Sequence, residues 1–271
     1  ASLSSRLGDR VLQAAIGRAM ALMGEHFVLG DTIEAAIRKS SQSSDSRSTF
    51  SFDMLGEAAL TEADAARYFE SYCHAAVCLS REATDANSIS EARSLSVKLS
   101  ALHPRYEFVK RSVCVPVLVE RIRKLAHIAK EGGFGLTIDA EESERLEVSL
   151  LVFRDILESP ELSGWDGLGL VIQAYQRRAP QVIEWLKAAA ARNGRRVTVR
   201  LVKGAYWDSE IKRAQLLGLD SYPVFTRKSH TDLSYLACAA SLLRSGDVIF
   251  PQFATHNAHT ASAIAHMAGD N

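Results

Sequence analysis

Residues 197–207 read Val-Thr-Val-Arg-Leu-Val-Lys-Gly-Ala-Tyr-Trp. The first six have the β-branched, apolar character of a strand, broken by one arginine. A buried strand that keeps an arginine must give the guanidinium something to bind. Lys203-Gly204 then opens toward Asp208 and Glu210, acidic residues suited to the first turn of a helix. A strand that ends in Lys-Gly beside a helix start gathers backbone N–H groups where an anion can sit.

The same event recurs in both directions along the chain. Lys98 follows Leu95-Ser96-Val97, Asp139 follows Leu136-Thr137-Ile138, and Gln173 follows Val171-Ile172. Thr255, His256 and Asn257 follow Ile249-Phe250-Pro251-Gln252-Phe253. Each is an apolar run ending in an awkward polar residue. From Phe50 onward the pattern predicts strands at 50–55, 94–99, 135–139, 168–173, 197–202 and 248–253. It predicts helices at 61–80, 111–131, 142–158, 177–192, 207–217, 228–245 and 258–268. Alternation of this kind argues for an α/β protein with a parallel sheet and right-handed crossovers. Residues 6–38 read as a helical arm, with Leu12, Ile16, Met20 and Met23 at helical spacing and Gly24 and Gly30 as punctuation. Residues 40–49 read as a Ser-rich linker. The expected organisation is an arm over 1–39, a linker over 40–49 and a barrel or sheet domain over 50–271.

About six βα units are visible, and a closed (β/α)₈ TIM-type barrel needs eight. An open doubly wound sheet would be complete at six, whereas a barrel would be truncated. No Gly-x-Gly-x-x-Gly follows the first strand (Phe52-Asp53-Met54-Leu55-Gly56-Glu57), which disfavours a dinucleotide Rossmann fold.

Composition narrows the function classes. Lys+Arg 32 balances Asp+Glu 32, so nothing calls for nucleic acid or an anionic membrane as the main partner of this segment. No apolar run approaches the ~20 residues of a membrane span. The four cysteines (Cys73, Cys78, Cys114, Cys238) lack metal-ligand spacing and read as reduced thiols of a cytosolic-type protein.

Parallel strands share one C-terminal face, so the strand-end residues should converge there. Their chemistry suits an anionic or hydrogen-bonding ligand better than a metal. Each also has a plainer reading. Lys98 alone reads as a snorkelling strand-end lysine. Asp139 reads equally as a helix N-cap. Gln173 could bond backbone groups of a neighbouring loop. Arg200 could form a structural ion pair with Asp139. Trp207 could stack on an adenine or pack in the core. His256-x-x-His259 has no third ligand at suitable spacing, so no metal is expected. Arg177-Arg178 and Arg195-Arg196 read as solvated charges.

Four stretches carry a family resemblance: Asp53-Met-Leu-Gly-Glu-Ala58, Ser96-Val-Lys-Leu-Ser-Ala-Leu-His-Pro-Arg105, Arg200-Leu-Val-Lys-Gly-Ala-Tyr-Trp207 and Phe253-Ala-Thr-His-Asn257. Together they resemble the proline dehydrogenase domain of bacterial bifunctional proline utilization A (PutA) proteins over most of residues 50–271. The resemblance implies a (β/α)₈ barrel that carries FAD and oxidises L-proline to Δ1-pyrroline-5-carboxylate by hydride transfer to flavin N5. It implies a catalytic group of Arg200, Asp139 and Lys98. It places Asp139, Gln173, Arg200, Val202, Lys203, Gly204, Ala205, Trp207, Arg227, Lys228, Thr255, His256 and Asn257 at the cofactor, with Trp207 on adenine. Lys98, Leu201 and Tyr206 fall at the substrate. Implied partners are a membrane quinone as electron acceptor and a pyrroline-5-carboxylate dehydrogenase domain of the same polypeptide. The implied location is cytoplasmic or peripheral at the inner membrane, with oligomerisation left open.

One departure stands out. The family's Tyr-x-x-Arg-Arg-x-x-Glu helix, whose arginines clamp the substrate carboxylate, has no counterpart in this sequence, nor has its seventh strand. The chain is therefore expected to be part of a longer polypeptide. Alone it is expected to bind FAD poorly and to turn over little proline, because an open barrel exposes strand edges and an apolar lumen and the clamping segment is missing. The competing reading is a non-catalytic (β/α) scaffold that binds a small anion or serves as an interaction module. It predicts a colourless protein whose ligand binding survives Arg200→Met.

Overall fold

The computed structural model describes residues 11, 13–14, 16–18, 28–42, 48–56, 58–81, 88–89 and 92–269. They fall into two compact units, residues 1–50 and 51–271.

In the first unit, α1 spans Ile33–Ser41, with Thr32 as N-cap accepting from the Ala35 N–H at 3.2 Å. Residues 28–32 are not helical, so the single helix expected over 6–38 is interrupted. The Thr32 hydroxyl supplies the local reason, since it caps a new helix instead of riding inside an old one. Ser40 and Ser41 belong to α1, which corrects the start of the expected linker. Leu12, Met20, Met23, Gly24 and residues 43–47 lie outside the described residues.

In the second unit the strands are β1 (Ser51–Asp53), β2 (Ser94–Val97), β3 (Gly135–Ile138), β4 (Leu168–Gln173), β5 (Val197–Val202) and β6 (Ile249–Phe253). Between and after them lie α2 (Glu62–Ser80), α3 (Leu99–Leu102), α4 (Arg111–Glu131), α5 (Leu146–Leu157), α6 (Ala179–Arg192), α7 (Trp207–Leu216), α8 (Lys228–Leu243) and α9 (Ala258–Gly269). Strand β1 is shorter than expected because Leu55 turns into the left-handed region, at φ 55°. Strand β2 ends early because Leu99 opens the one-turn helix α3.

All five pairings are parallel and the strands run in sequence order, β1-β2-β3-β4-β5-β6. That order decides between the two architectures. Right-handed crossovers between consecutive strands place every helix on one face, whereas a doubly wound sheet must reverse its order to place helices on both.

The sheet also curls. Strands β1 and β5 are four positions apart, roughly 19 Å in a flat sheet. Yet the Arg200 guanidinium on β5 donates to Ser51 Oγ on β1 at 2.8 Å and to Ser96 Oγ on β2 at 3.0 Å. Only a sheet rolled toward a barrel brings those atoms together. The six units form part of a (β/α) barrel.

The pleat sorts side chains to two faces. Leu95, Val97, Leu136, Ile138, Leu170, Val197, Val199 and Leu201 alternate outward and are buried under the helices. Ser51, Asp53, Ser96, Lys98, Thr137, Asp139, Gln173, Thr198, Arg200 and Gln252 alternate inward, as the register requires. Val171, Val202 and Phe250 face inward as well, so the expected apolar lumen is corrected to a mixed one in which polar side chains predominate. Ordinary barrels fill this space with branched aliphatics. Here an arginine held by Ser51, Ser96 and Gln252 occupies it.

Arg195 also departs from expectation. It is buried rather than solvated, and its guanidinium donates to the carbonyls of Leu157, at 3.0 Å, and Trp165. Backbone carbonyls at the ends of neighbouring elements satisfy the charge where water cannot.

Candidate active site

The C-terminal ends of β2 to β6 open into one cavity of about 650 Å³. Lys98, Asp139, Gln173, Arg200, Val202, Lys203, Gly204, Ala205, Tyr206, Lys228, Thr255, His256 and Asn257 line it. Trp207 lies in an adjoining cavity of about 420 Å³, which shares Lys203, Gly204 and Lys228 and is walled by Tyr175 and Phe225. Two residues of the expected set line neither cavity, Leu201 and Arg227. Leu201 is fully buried on the outward side of β5, because it alternates with Arg200 and Val202. A direct wall contact with a ligand in the cavity is therefore ruled out for its side chain. Its carbonyl instead accepts, together with that of Ala254, from the Tyr235 hydroxyl. Arg227 is exposed just before α8.

The charged centre is a chain of groups from four strands. Lys98 Nζ lies 2.6 Å from Asp53 Oδ2 and 3.4 Å from Asp139 Oδ2, and Arg200 comes within 3.9 Å of Asp139. Burial pushes the Asp139 carboxyl up, Lys98 pulls it down and Asp53 pushes it up again. Asp139 caps no helix, since the next helical turn begins at Ser143. Burial lowers the Arg200 pKa, and Asp139 and Asp53 oppose it. An arginine stays charged under such shifts. Its Nε donates to Gln252 at 3.1 Å, so four neighbours fix the plane of the guanidinium.

Gln173 satisfies its amide within the protein. Its Nε2 donates to the Glu141 carbonyl at 2.8 Å, and its Oε1 accepts from the Ala205 N–H at 3.2 Å. The Tyr206 N–H reaches the Tyr175 hydroxyl at 3.3 Å. Two of the N–H groups expected to hold an anion are thus already bonded. The cations nearby remain. Lys203 and Lys228 each place Nζ 2.5 Å from one oxygen of Asp232. Asn257 caps α9, its Oδ1 accepting from the Thr260 N–H at 2.9 Å.

Those two lysines hold the Asp232 carboxyl below its ordinary pKa. A carboxylate depressed in the folded state contributes stability above its unfolded value, near 3.9, and loses it as pH falls through the lower folded value. The group is partly exposed, so the contribution is discounted to under about 1 kcal/mol. Asp232→Asn is expected to remove that much at neutral pH and to flatten the acid side of the stability profile. Urea midpoints measured between neutral pH and pH 3 check it.

Sequence reading missed Asp53, Ser51, Ser96, Gln252, Asp232 and Tyr175. For the first four the signal was present. Counting by twos from Arg200, Lys98 and Asp139 across the paired register lands on them. Asp232 and Tyr175 carry no such periodicity.

The arrangement fits a flavin dinucleotide. Four cationic side chains and one carboxylate line the larger cavity. Two of those cations, Lys203 and Lys228, stand at its junction with an aromatic second cavity. A ligand with an anionic waist and a planar ring system at each end matches that shape and charge.

The sequence profile described as proline dehydrogenase matches residues 36–271. The chain belongs to the proline dehydrogenase family. Members of this family are FAD-dependent. The chain is 50% identical over 264 residues to the bifunctional protein PutA of Salmonella typhimurium, covering 97% of this chain and 20% of that protein. It is 26% identical over 236 residues to proline dehydrogenase 1 of Bacillus subtilis subsp. natto, covering 87% of this chain and 66% of the relative. A crystal structure of a Bradyrhizobium japonicum proline utilization A mutant superposes with a TM-score of 0.86 at 51% identity, over 98% of this chain and 27% of that one. The Bdellovibrio bacteriovorus protein inactivated by N-propargylglycine gives a TM-score of 0.89 at 30% identity, over 96% and 28%. The chain thus spans about a fifth of the PutA relatives it matches.

Proposed function

We propose that this chain carries the FAD-dependent oxidation of L-proline to Δ1-pyrroline-5-carboxylate within a PutA-like polypeptide. The convergence of Lys98, Asp139 and Arg200 at one cavity supports it most directly. Bound FAD supplies the acceptor for a hydride leaving the ring carbon beside nitrogen. Lys98 presents a cation to the substrate carboxylate, and Tyr206 walls the substrate. Arg200 donates toward the negative charge that develops on the isoalloxazine. Asp139 keeps both cations oriented. Gln173 and Val202 border the ring system. Lys203, Gly204, Ala205, Lys228 and the Thr255–Asn257 turn hold the ribityl and pyrophosphate portion, with Arg227 at the outer edge. Trp207 covers the adenine, since the residue is 42% exposed and its Nε1–H is fixed on the Phe225 carbonyl at 3.0 Å. Leu201 acts by backing β5 rather than by touching substrate. Hydride transfer needs close, aligned reactants, so positioning outweighs acid–base strength here.

In the same reading a membrane quinone accepts the electrons. A pyrroline-5-carboxylate dehydrogenase domain of the same polypeptide takes the product. The protein is cytoplasmic and meets the inner membrane peripherally. Among the described residues no helix is long and apolar enough to cross a membrane. Proline-dependent dye reduction by the FAD-loaded PutA-like polypeptide that contains this chain tests the function. Turnover with L-proline supports it; a colourless protein that binds an anion without turnover favours the scaffold reading.

A further inference from the structure

Asp139 is not the nearest partner of Lys98. Asp53 is, at 2.6 Å against 3.4 Å. The other oxygen of Asp53, Oδ1, accepts from the Leu55 N–H at 2.9 Å. Leu55 and Ala58 both sit at φ 55°, and the Ala58 N–H is held by Ser100 Oγ at 3.0 Å. Non-glycine residues persist in the left-handed region only where their surroundings over-determine them. Asp53 therefore joins two structures. One oxygen pins the turn that follows β1, and the other reaches Lys98 across the β1–β2 pair.

We propose that Asp53 is a positioning residue that holds the Lys98 ammonium in place and charged for the carboxylate of the substrate. The inference rests on the proline-oxidation reading above. Asp53 does not line the cavity, so it acts through Lys98. The groups around Lys98 come from every neighbouring element: Asp53 on β1, Asp139 at the end of β3, Arg200 on β5 beyond Asp139, and the Tyr72 hydroxyl on α2, 3.4 Å from the Lys98 backbone N–H. Burial works against the Lys98 charge. The hydrogen bond that Lys98 donates to Asp53 and the field of Asp139 outweigh it and hold the pKa above its ordinary value. A lysine so raised stays cationic below its ordinary value, near 10.4, and loses its charge only as pH rises through the higher one. Without the Asp53 charge, burial meets weaker opposition, and Lys98 loses its proton at lower pH.

Asp53→Asn separates the two roles, because the amide oxygen still accepts from the Leu55 N–H while the charge beside Lys98 is gone. The experiment is the pH profile of kcat/KM for L-proline in the FAD-loaded holoenzyme, with FAD content measured alongside. KM is expected to rise about 10-fold, the weight of one charge-assisted hydrogen bond. kcat should change less than about threefold, and the alkaline limb should move to lower pH. Asp53→Glu should restore the limb. Should Asp53→Asn lose its flavin, Asp53→Ser is read instead, since its hydroxyl also accepts from the turn. An alkaline limb that stays put in a flavin-loaded variant overturns the proposal. So does an Asp53→Glu variant that behaves like Asp53→Asn. All arms use the whole PutA-like polypeptide; a wild-type polypeptide without proline turnover overturns the underlying reading, and that shows in the wild-type arm before any variant is compared.

Discussion

Arg200→Met is expected to slow flavin reduction by L-proline by about 10²–10³-fold, the range seen when a preorganised donor to developing charge is lost. Methionine keeps much of the length and volume of the side chain and removes every donor. The guanidinium is preorganised by Ser51, Ser96 and Gln252, at 2.8, 3.0 and 3.1 Å, so the protein does not rearrange to present it. Its loss also leaves Asp139, among the described residues, with Lys98 as its one remaining cation within 4 Å. Arg200→Lys is expected to recover only part of the rate, because an ammonium keeps the charge but not the fork that spans β1, β2 and β6. Stopped-flow reduction of flavin-loaded variants checks this, with denaturant unfolding to confirm the fold. A rate within threefold of wild type in Arg200→Met would contradict the role given to this residue.

Gly204→Ala is expected to destabilise the protein by about 2–4 kcal/mol and to weaken FAD retention. Gly204 adopts φ 138°, where side chains are rarely tolerated, and an added Cβ would lie 2.5 Å from the Tyr175 ring. The ring has nowhere easy to go. Its hydroxyl is bonded to the Tyr206 N–H, and the Tyr175 backbone pairs with Lys203 on one side and Phe225 on the other. The methyl group must therefore displace the loop that carries Lys203, Ala205 and Tyr206, all of which line the larger cavity. Urea midpoints and the fraction of flavin retained through gel filtration check it. A Gly204→Ala variant of wild-type stability and flavin content would contradict the close approach.

Much of the barrel was legible because its signal is local and periodic. Each strand from β2 to β6 begins or ends within two residues of its expected bounds, since an apolar run ending in one polar residue is written in adjacent positions. Strand β1 is shorter than its pattern suggests, because nothing local announces that a leucine will take a left-handed turn at residue 55. The pattern of residues alone left an open sheet and a barrel both standing, since strand order and curvature are long-range properties; the family resemblance pointed to the barrel, and the strand order agrees. The site divides along the same line. Lys98, Asp139, Gln173 and Arg200 stand out against apolar neighbours, and the fold brings them to one cavity. Ser51, Ser96 and Gln252 are ordinary residues locally and become partners of Arg200 only once the sheet curls. Leu201 misled because a position inside a matching stretch says nothing about which face of the strand it occupies. Arg195 misled because a basic pair before a strand reads as solvated, and only the tertiary fold supplies the carbonyls that bury it.

The central claim is that side chains from successive strands gather at one rim to hold a flavin against a small cyclic amino acid. A crystal structure of the FAD-loaded protein with a proline-like carboxylate tests it most directly. The account predicts the isoalloxazine in the 650 Å³ cavity beside Arg200, the adenine under Trp207, and the ligand carboxylate on Lys98. Flavin density elsewhere on the protein, or a ligand carboxylate that leaves Lys98 untouched, would contradict it.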